Sequence, residues 1–418
     1  MKELSQNEGR GAAERKKKRE GRIKKNVVLL GGTSLLTDLS SEMIHPLLPM
    51  FISALGGGGL VVGLIGGLGD GIANILKIFA GFWADRRGKR KPFIFSGYLL
   101  SSICKLLLAF STIWQHILVL RPMERSGKGL RTAPRDAIIA ESSLKWRGRS
   151  FGLHRAMDTM GAIGGSSLAF LLFYLAGWRF KSIFLLAGFV GFSALIPLFW
   201  VKEKKGAPKD LSLRISLQGI SPPLRWFIFA ATLFSLGNFT YMFFLLKVRE
   251  LVLDPRLSIA LPVLFYVWFN VIYSILSFPL GMVSDKIGRV PVLISGYSIF
   301  GLVCLGFVWC RSLMSLVLLF GLYGFTFAAI EGQERALVSD MSAGEVRATV
   351  LGTFHTSVGL ATLPASLIAG FLWQYFRPEL AFVYGAAMGG LSTLLLLFFA
   401  FKYGYSSAGQ IQREDDKE

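Results

Sequence analysis

Gly81-Phe82-Trp83-Ala84-Asp85-Arg86-Arg87-Gly88-Lys89 closes one long apolar block and precedes the next. It returns 200 positions later as Gly281-Met282-Val283-Ser284-Asp285-Lys286-Ile287-Gly288-Arg289. The return runs on in both directions. Pro92 and Ser96-Gly97-Tyr98 come back at offset 199 as Pro291 and Ser295-Gly296-Tyr297, and Arg135, Arg147 and Gly152 come back at offset 200 as Arg335, Arg347 and Gly352. Self-similarity over half a chain is the mark of a duplicated architecture. The blocks around the two copies are nearly free of charge: Val27–Leu36, Leu60–Leu68, Phe93–Phe110, Ile183–Val201, Leu261–Leu280, Val292–Cys310 and Leu391–Phe401. A run of roughly 20 apolar residues is what crosses a hydrocarbon core about 30 Å thick. Turn and charge signals divide the chain into twelve expected spans, at 27–54, 60–84, 93–111, 113–141, 150–176, 180–201, 224–247, 257–281, 290–309, 312–339, 345–373 and 379–402.

Composition agrees with a membrane protein. Of 418 residues 52% are hydrophobic and 17% charged, where a soluble chain carries about 25% charge. A soluble enzyme, a secreted disulfide scaffold and a disordered tail are excluded. The net charge of +20 could point to nucleic acid, so its location decides. Residues 1–25 hold ten Lys/Arg against four Glu, and the remaining excess lies in short loops at Arg86–Lys91, Lys145–Arg149, Lys202–Lys209 and Lys286–Arg289. With the N-terminus in the cytoplasm, about 30 Lys/Arg fall on that side and about seven on the other, a positive-inside bias. A nucleic-acid binder would interleave aromatics with these bases, and the tail has none. The expected organisation is a basic cytoplasmic tail (1–25), a six-helix bundle (26–201), a linker (202–223), a second bundle (224–403) and a C-terminal cytoplasmic tail (404–418), inserted in the plasma membrane. Cys104, Cys304 and Cys310 stand in apolar segments with no CxxC or His neighbour, so neither a disulfide nor a metal is expected. The first apolar block is too long for a cleavable signal peptide and lacks a small-residue cleavage site.

The duplicated Gly-x-x-x-Asp-Arg/Lys-x-Gly-Arg/Lys element, in a chain of twelve expected spans, resembles the major facilitator superfamily over residues 27–402. That resemblance implies an all-α integral membrane protein with twelve transmembrane helices in two six-helix pseudo-repeats, whose halves rock about a central site. It also implies that the loop of Asp85 latches the cytoplasmic ends of the halves in the outward-open state. The latch set is Gly81, Asp85, Arg86, Gly88 and Arg90, with Gly281, Asp285, Lys286, Gly288 and Arg289 as its second copy. Other family marks are partial. Gly161-Ala-Ile-Gly164-Gly165-Ser166 has Ser where exporters of the family often carry Pro, and Gly127-Lys128-Gly129 is preceded by Met123 where an Arg often stands. Spans 1, 4, 7 and 10 line the family's cavity.

Charge within a span is expensive and needs a partner or a wet cavity. In span 1, Asp38, Glu42 and His45 fall at i, i+4 and i+7 on one face. Asp38 lies about 17 Å past Val27, near mid-bilayer. Asp38, Glu42 and Asp70 are the candidates for proton coupling, with structural ion pairs to span 4, or substrate binding alone, as the competing readings for the span 1 carboxylates; His45 reads as a wetted rim residue. Asp70 and Lys77 lie two turns apart on span 2. Offset 200 maps Asp38 onto Asn238 and Asp70 onto Asn270, so those amides are read either as substrate contacts or as interhelical bonds. Span 4 carries Arg121, Arg125, Lys128 and Arg135 as a basic stripe, with Glu124, Asp136 and Glu141 among them. Arginine forks suit carboxylate or phosphate, which makes Arg121, Arg125 and Lys128 substrate candidates unless the charges cancel within the helix. Glu331 joins them from span 10. Arg135, Arg155 and Asp158 are read as a cytoplasmic gate, with a static cap network as the alternative. Trp114, Trp178, Trp200, Trp309 and Trp373 read as interface anchors, and Lys105 has no evident partner.

No enzyme constellation appears: Gly127-Lys128 lacks the flanking residues of a phosphate loop, and Gly66–Gly71 is a small-residue packing surface. The expected function is secondary active transport of a small anionic or amphipathic organic solute by alternating access, proton-coupled, with efflux favoured. Alternatives are a proton-coupled importer of an organic anion or carboxylate metal chelate, and a non-transporting receptor of the same fold. The expected partners are the solute, protons and the bilayer, with no cofactor, no nucleic acid and a monomeric chain.

Overall fold

The computed structural model describes residues 25–142, 147–203, 220–342 and 347–404. Most of the basic tail, most of the linker and the C-terminal tail lie outside the described residues, as do the side chains of Arg147 and Arg347. The described chain is helical throughout. The first half runs α1 Lys25–Ile44, α2 Leu48–Ala54, α3 Gly59–Arg87, α4 Lys91–Leu108, α5 Trp114–Ser142, α6 Arg147–Phe170 and α7 Phe180–Ser193. The second runs α8 Pro222–Gly237, α9 Met242–Glu250, α10 Leu257–Ile287, α11 Arg289–Trp309, α12 Leu313–Asp340, α13 Arg347–Tyr375 and α14 Pro378–Tyr403. Among the described residues eleven spans, counting α1–α2 and α8–α9 as one each, are long and apolar enough to cross a membrane. α5 has the length, 29 residues, but carries eight charged side chains and two internal prolines, Pro122 and Pro134.

Two expected helices are broken at mid-span, and a third, 180–201, leaves the α-helix after Ser193 and ends in a 3-10 turn, Ile196–Trp200. Between α1 and α2 the chain turns at His45–Leu47, where Pro46 lacks the N–H that a continuous helix needs. Between α8 and α9 it leaves the helix at Asn238, whose ψ of 71° is not helical, and resumes at Met242. Each break lies within an apolar span, and unwound backbone at that depth is tolerated where it is buried in protein or lines a cavity.

The helices pack in two groups. In the first, α1 lies on α6 and α7, α3 on α5, and α4 on α5 and α7. In the second, α8 lies on α13 and α14, α10 on α12, and α11 on α12 and α14. The groups meet mainly along α3–α13 and α6–α10. Glycine makes the close approaches. A Cβ on Gly63 or Gly67 would strike the α13 backbone at Ser366 or Leu363, and one on Gly161 or Gly165 would strike the α1 carbonyls of Leu35 or Leu39. The exporter-like Gly161–Ser166 stretch is thus a helix-packing face.

The duplicated element caps α3 and α10. Gly88 takes φ +64° and Gly288 φ +93°, a region that disfavours side chains. Arg90 bonds Asp85 at 2.8 Å and Glu141 at 2.6 Å, and Glu203 accepts the N–H groups of Arg90 and Lys91. In the second copy Arg289 bonds Asp285 at 2.8 Å and Asp340 at 3.3 Å. Both latch carboxylates therefore pair within their own half in this conformation. Gly281 has open space around it, and Arg86 is exposed.

Candidate functional site

A cavity lies between the helix groups, in two connected lobes of about 490 and 450 Å³. The outer lobe lies toward the end that carries the signature loops and is lined by the later turns of α5 and the first turns of α6. The inner lobe reaches His45, Asn238, Tyr241 and Ser366. Asp38, Lys128, Arg155, Asp158, Tyr273 and Glu331 border both. At the far end the groups touch: Tyr241 Oη donates to the His45 carbonyl at 3.1 Å, and the Leu60 N–H to Gln374 at 3.0 Å.

The basic stripe of α5 is not a free cationic face. Arg121 is buried, 2.6 Å from Glu124 and 2.9 Å from His45 Nε2, and His45 Nδ1 in turn lies 3.1 Å from Glu42. Arg125 bonds Asp70 at 2.6 Å, and Arg135 bonds Asp136 at 3.0 Å and donates to Ser34 at 2.9 Å. Desolvating a charge costs several kcal/mol, and a buried carboxylate within reach offsets it. Of the two readings of Arg121 and Arg125, this conformation shows both guanidinium groups held by carboxylates. His45, only 6% exposed, is a link in this chain and not a rim residue. Lys128 alone of the stripe has neither an ion pair nor a hydrogen bond among the described residues, and it is exposed to both lobes.

Asp38 on α1 stands against Asp158 on α6, close enough for one carboxyl to hydrogen-bond the other. Asp158 Oδ1 is buried with no donor among the described residues. A proton on either carboxyl would supply one, and without it two like charges face each other.

Arg155 reaches out of its own half. Its guanidinium lies 3.7 Å from Glu331 on α12, over the Tyr273 ring at 5.4 Å, and donates to Tyr273 Oη, which itself donates to Glu331. Arg335 holds the other Glu331 oxygen at 3.0 Å. The partner of Arg155 is thus on the opposite half, while Asp158 of its own helix, at 3.8 Å, is a longer contact.

Asn270 is buried and spends its amide on the Tyr266 carbonyl of its own helix at 3.0 Å, while Asn238 lines the inner lobe at the α8 break. Sequence reading missed the tyrosines. Tyr98 Oη lies 3.2 Å from Ser34, which also meets His154 at 3.0 Å; its repeat mate Tyr297 stacks on Phe234 at 3.9 Å and donates to Glu334 at 2.6 Å. The recurrence at offset 199 was the available signal. Lys105, 1% exposed, donates to the Thr37 carbonyl and to Ser40. Trp373, read as an anchor, packs on Phe243 at 5.2 Å and beside Gly59 at the contact between halves.

Membrane-crossing helices in two packed groups, with a charged cavity between them, are the architecture of a membrane transporter. The sequence matches the Major Facilitator Superfamily over residues 30–272 and 256–415, and the chain belongs to that family. It is 47% identical over 379 residues to an uncharacterised MFS-type transporter of Methanocaldococcus jannaschii, covering 90% of this chain and 95% of that one. It is 30% identical over 189 residues to the multidrug resistance protein MdtH of Yersinia pestis, covering 44% and 46%. The POT family transporter PepTSo shares its fold at a TM-score of 0.77 and 11% identity, over 92% of this chain and 99% of that one.

Proposed function

We propose that this protein is a proton-coupled secondary transporter that exports a small anionic or amphipathic organic solute across the plasma membrane, working as a monomer. Its twelve spans, with α5 as the polar one, form two six-helix halves (26–201 and 224–403) joined by the linker 202–223, with the tails 1–25 and 404–418 in the cytoplasm. The packing supports the repeat: α3 on α5 is mirrored by α10 on α12, and α4 on α5 and α7 by α11 on α12 and α14. The halves rock about the cavity, and the conformation described here opens toward the cytoplasmic signature loops. Export takes its support from the name of the multidrug resistance relative.

The Asp38–Asp158 pair carries the coupling reading. It is an incompletely bonded carboxyl pair on the cavity wall, at the contact of α1 with α6. Binding a proton removes the repulsion between the two carboxylates and so favours the arrangement that brings them together. Releasing it favours arrangements that separate them or recruit Lys128 or Arg155. Asp70 is engaged by Arg125, and one oxygen of Glu42 by His45, while the other Glu42 oxygen is buried without a donor among the described residues. When the cytoplasmic end closes, the Asp85 loop exchanges partners to latch the halves.

The test is gradient-driven accumulation of a panel of aromatic carboxylates in proteoliposomes, with internal pH followed by a trapped dye. Asp38→Asn is expected to abolish solute-linked proton movement in a protein that purifies and folds as the parent does. Gradient-driven transport that survives Asp38→Asn overturns the coupling assignment.

A further inference from the structure

Once the pairs are assigned, three cations of the outer lobe have no carboxylate within ion-pair distance among the described residues: Arg131, Lys77 and Lys128. Seven Lys/Arg and four Asp/Glu line the outer lobe. Arg125 is answered from the inner lobe by Asp70, Arg135 by Asp136, and Arg155 and Arg335 by Glu331. Arg131 is buried, donating to Ser101 at 2.8 Å beneath the Tyr98 ring at 4.4 Å. The side chains of Lys77 of α3 and Lys128 of α5 have neither an ion pair nor a hydrogen bond among the described residues, and both face the lobe; Asp38 shares the lobe with Lys128 but lies beyond ion-pair distance of it. Lys77 had an acid on its own helix face, two turns back, but that carboxylate, Asp70, is taken by Arg125.

Two ammonium groups at membrane depth, on adjacent packed helices, need either water or a counter-ion. The other wall of the lobe is aromatic. Tyr273 and Phe327, from the second half, meet edge to face at 6.3 Å and are both only partly covered. Lysine is a compact point charge on a flexible stem, suited to a carboxylate approached from two sides without a fixed fork.

We infer that Lys77 and Lys128 hold the charged group of an aromatic organic anion, whose ring lies against Tyr273 and Phe327. This rests on the transport reading only in taking the cavity as the solute's path. The arrangement makes the solute a bridge between the halves, its charge on the first and its ring on the second. A substrate bound in this way ties the rocking of the halves to its own presence.

The experiment is isothermal titration and thermal shift of the detergent-purified full chain with four probes: 2-naphthoate, 2-naphthylmethylammonium, 2-naphthalenemethanol and acetate. The expected order puts 2-naphthoate first, with acetate failing for want of a ring and the alcohol and ammonium for want of the charge. Lys77→Gln and Lys128→Gln should each weaken 2-naphthoate by about tenfold, the loss of one charge-assisted contact. Lys128→Arg should keep most of the affinity, and Lys181→Gln, whose ammonium sits over the Phe110 ring away from the cavity, should change nothing. Should the glutamine variants fail to fold, Phe327→Ala probes the same site from its other wall, and the order of the four probes on the unaltered protein stands as an independent measure. Preference for the ammonium, no binding of 2-naphthoate, or unchanged affinity in folded Lys77→Gln and Lys128→Gln overturns the inference. In Asp38→Asn, lost proton movement with 2-naphthoate binding intact is the expected result. Proton-driven transport of the ammonium would sink the anion site alone, and uncoupled transport of 2-naphthoate the coupling alone.

Discussion

Arg155 Nη2 of α6 and Glu331 Oε2 of α12 lie 3.7 Å apart, and no other ion pair among the described residues joins the two helix groups. Both side chains are about half exposed within the cavity, so screening by water limits what the pair adds to stability. A double-mutant cycle with Arg155→Gln and Glu331→Gln, read by thermal unfolding, should give a coupling of about 0.2–1 kcal/mol. The conformational effect should exceed the stability effect, because these are the charges that must part if the halves separate at this level. A thiol reagent directed at Ser277→Cys, on the cavity wall, should react at a different rate once Glu331→Gln is introduced. An unchanged rate would mean that the pair does not bias the opening. The native cysteines are all buried and give a low background.

Glu124 and Asp70 answer neighbouring arginines at the same distance, 2.6 Å, yet differ in depth. Glu124 is 2% exposed and Asp70 35%. Glu124→Gln should therefore cost about 3–5 kcal/mol, the penalty for stranding a buried Arg121. Asp70→Asn should cost clearly less, since water can reach Arg125. Comparing the two melting temperatures decides the matter, and equal losses would contradict the assigned burial.

These two pairs also mark the limit of what the primary structure discloses. Apolar block length is a local property, so the spans were legible from residues 27–54 onward, and recurrence at offset 200 exposed the packed capping elements without any geometry. The breaks at His45–Leu47 and Asn238–Tyr241 were not read from the sequence, because Pro46 and Gly237-Asn238 stand inside stretches long enough to span as one helix and such residues are tolerated in membrane helices. The stripe Arg121, Arg125, Lys128 and Arg135 was visible from helical spacing. Its neutralisation was only partly visible, since Glu124 is local but Asp70 arrives from α3 through an approach that Gly129 makes possible against Ala73. Arg155 finding Glu331 across the cavity is a tertiary fact with no local trace at all.

The glycines of the duplicated element are not equivalent, and substitution should separate them. Gly88 and Gly288 sit at positive φ, where a side chain costs about 1–2 kcal/mol. Gly281 is helical and has nothing within 4 Å of where a Cβ would stand. Gly88→Ala and Gly288→Ala should lower the melting temperature, while Gly281→Ala should leave it unchanged or raise it slightly, alanine being the better helix former. Should Gly281→Ala impair transport with stability intact, the position has a role in another conformation.

Asp38 and Asp158 share a cavity wall, but their surroundings predict different consequences of removing charge. Asp158 lies within 3.8 Å of Arg155 and shares the pocket of Arg135 and His154. Asp38 has no cation within ion-pair distance among the described residues. Asp158→Asn takes a counter-ion away from Arg155 and should lower stability. Asp38→Asn removes one of two facing carboxylates, supplies an amide donor to the buried Asp158 Oδ1, and should leave stability unchanged or raise it. The pair has a proton to gain only while both members are carboxyls, so stabilisation of the native protein by lowering the pH should be smaller in Asp38→Asn than in the parent. Melting curves of the parent and both variants between about pH 5 and pH 8 measure this directly. A parent-like pH response in Asp38→Asn would move the proton site elsewhere, with Glu334, which accepts from Tyr297 and has no ion pair among the described residues, the next carboxyl to substitute.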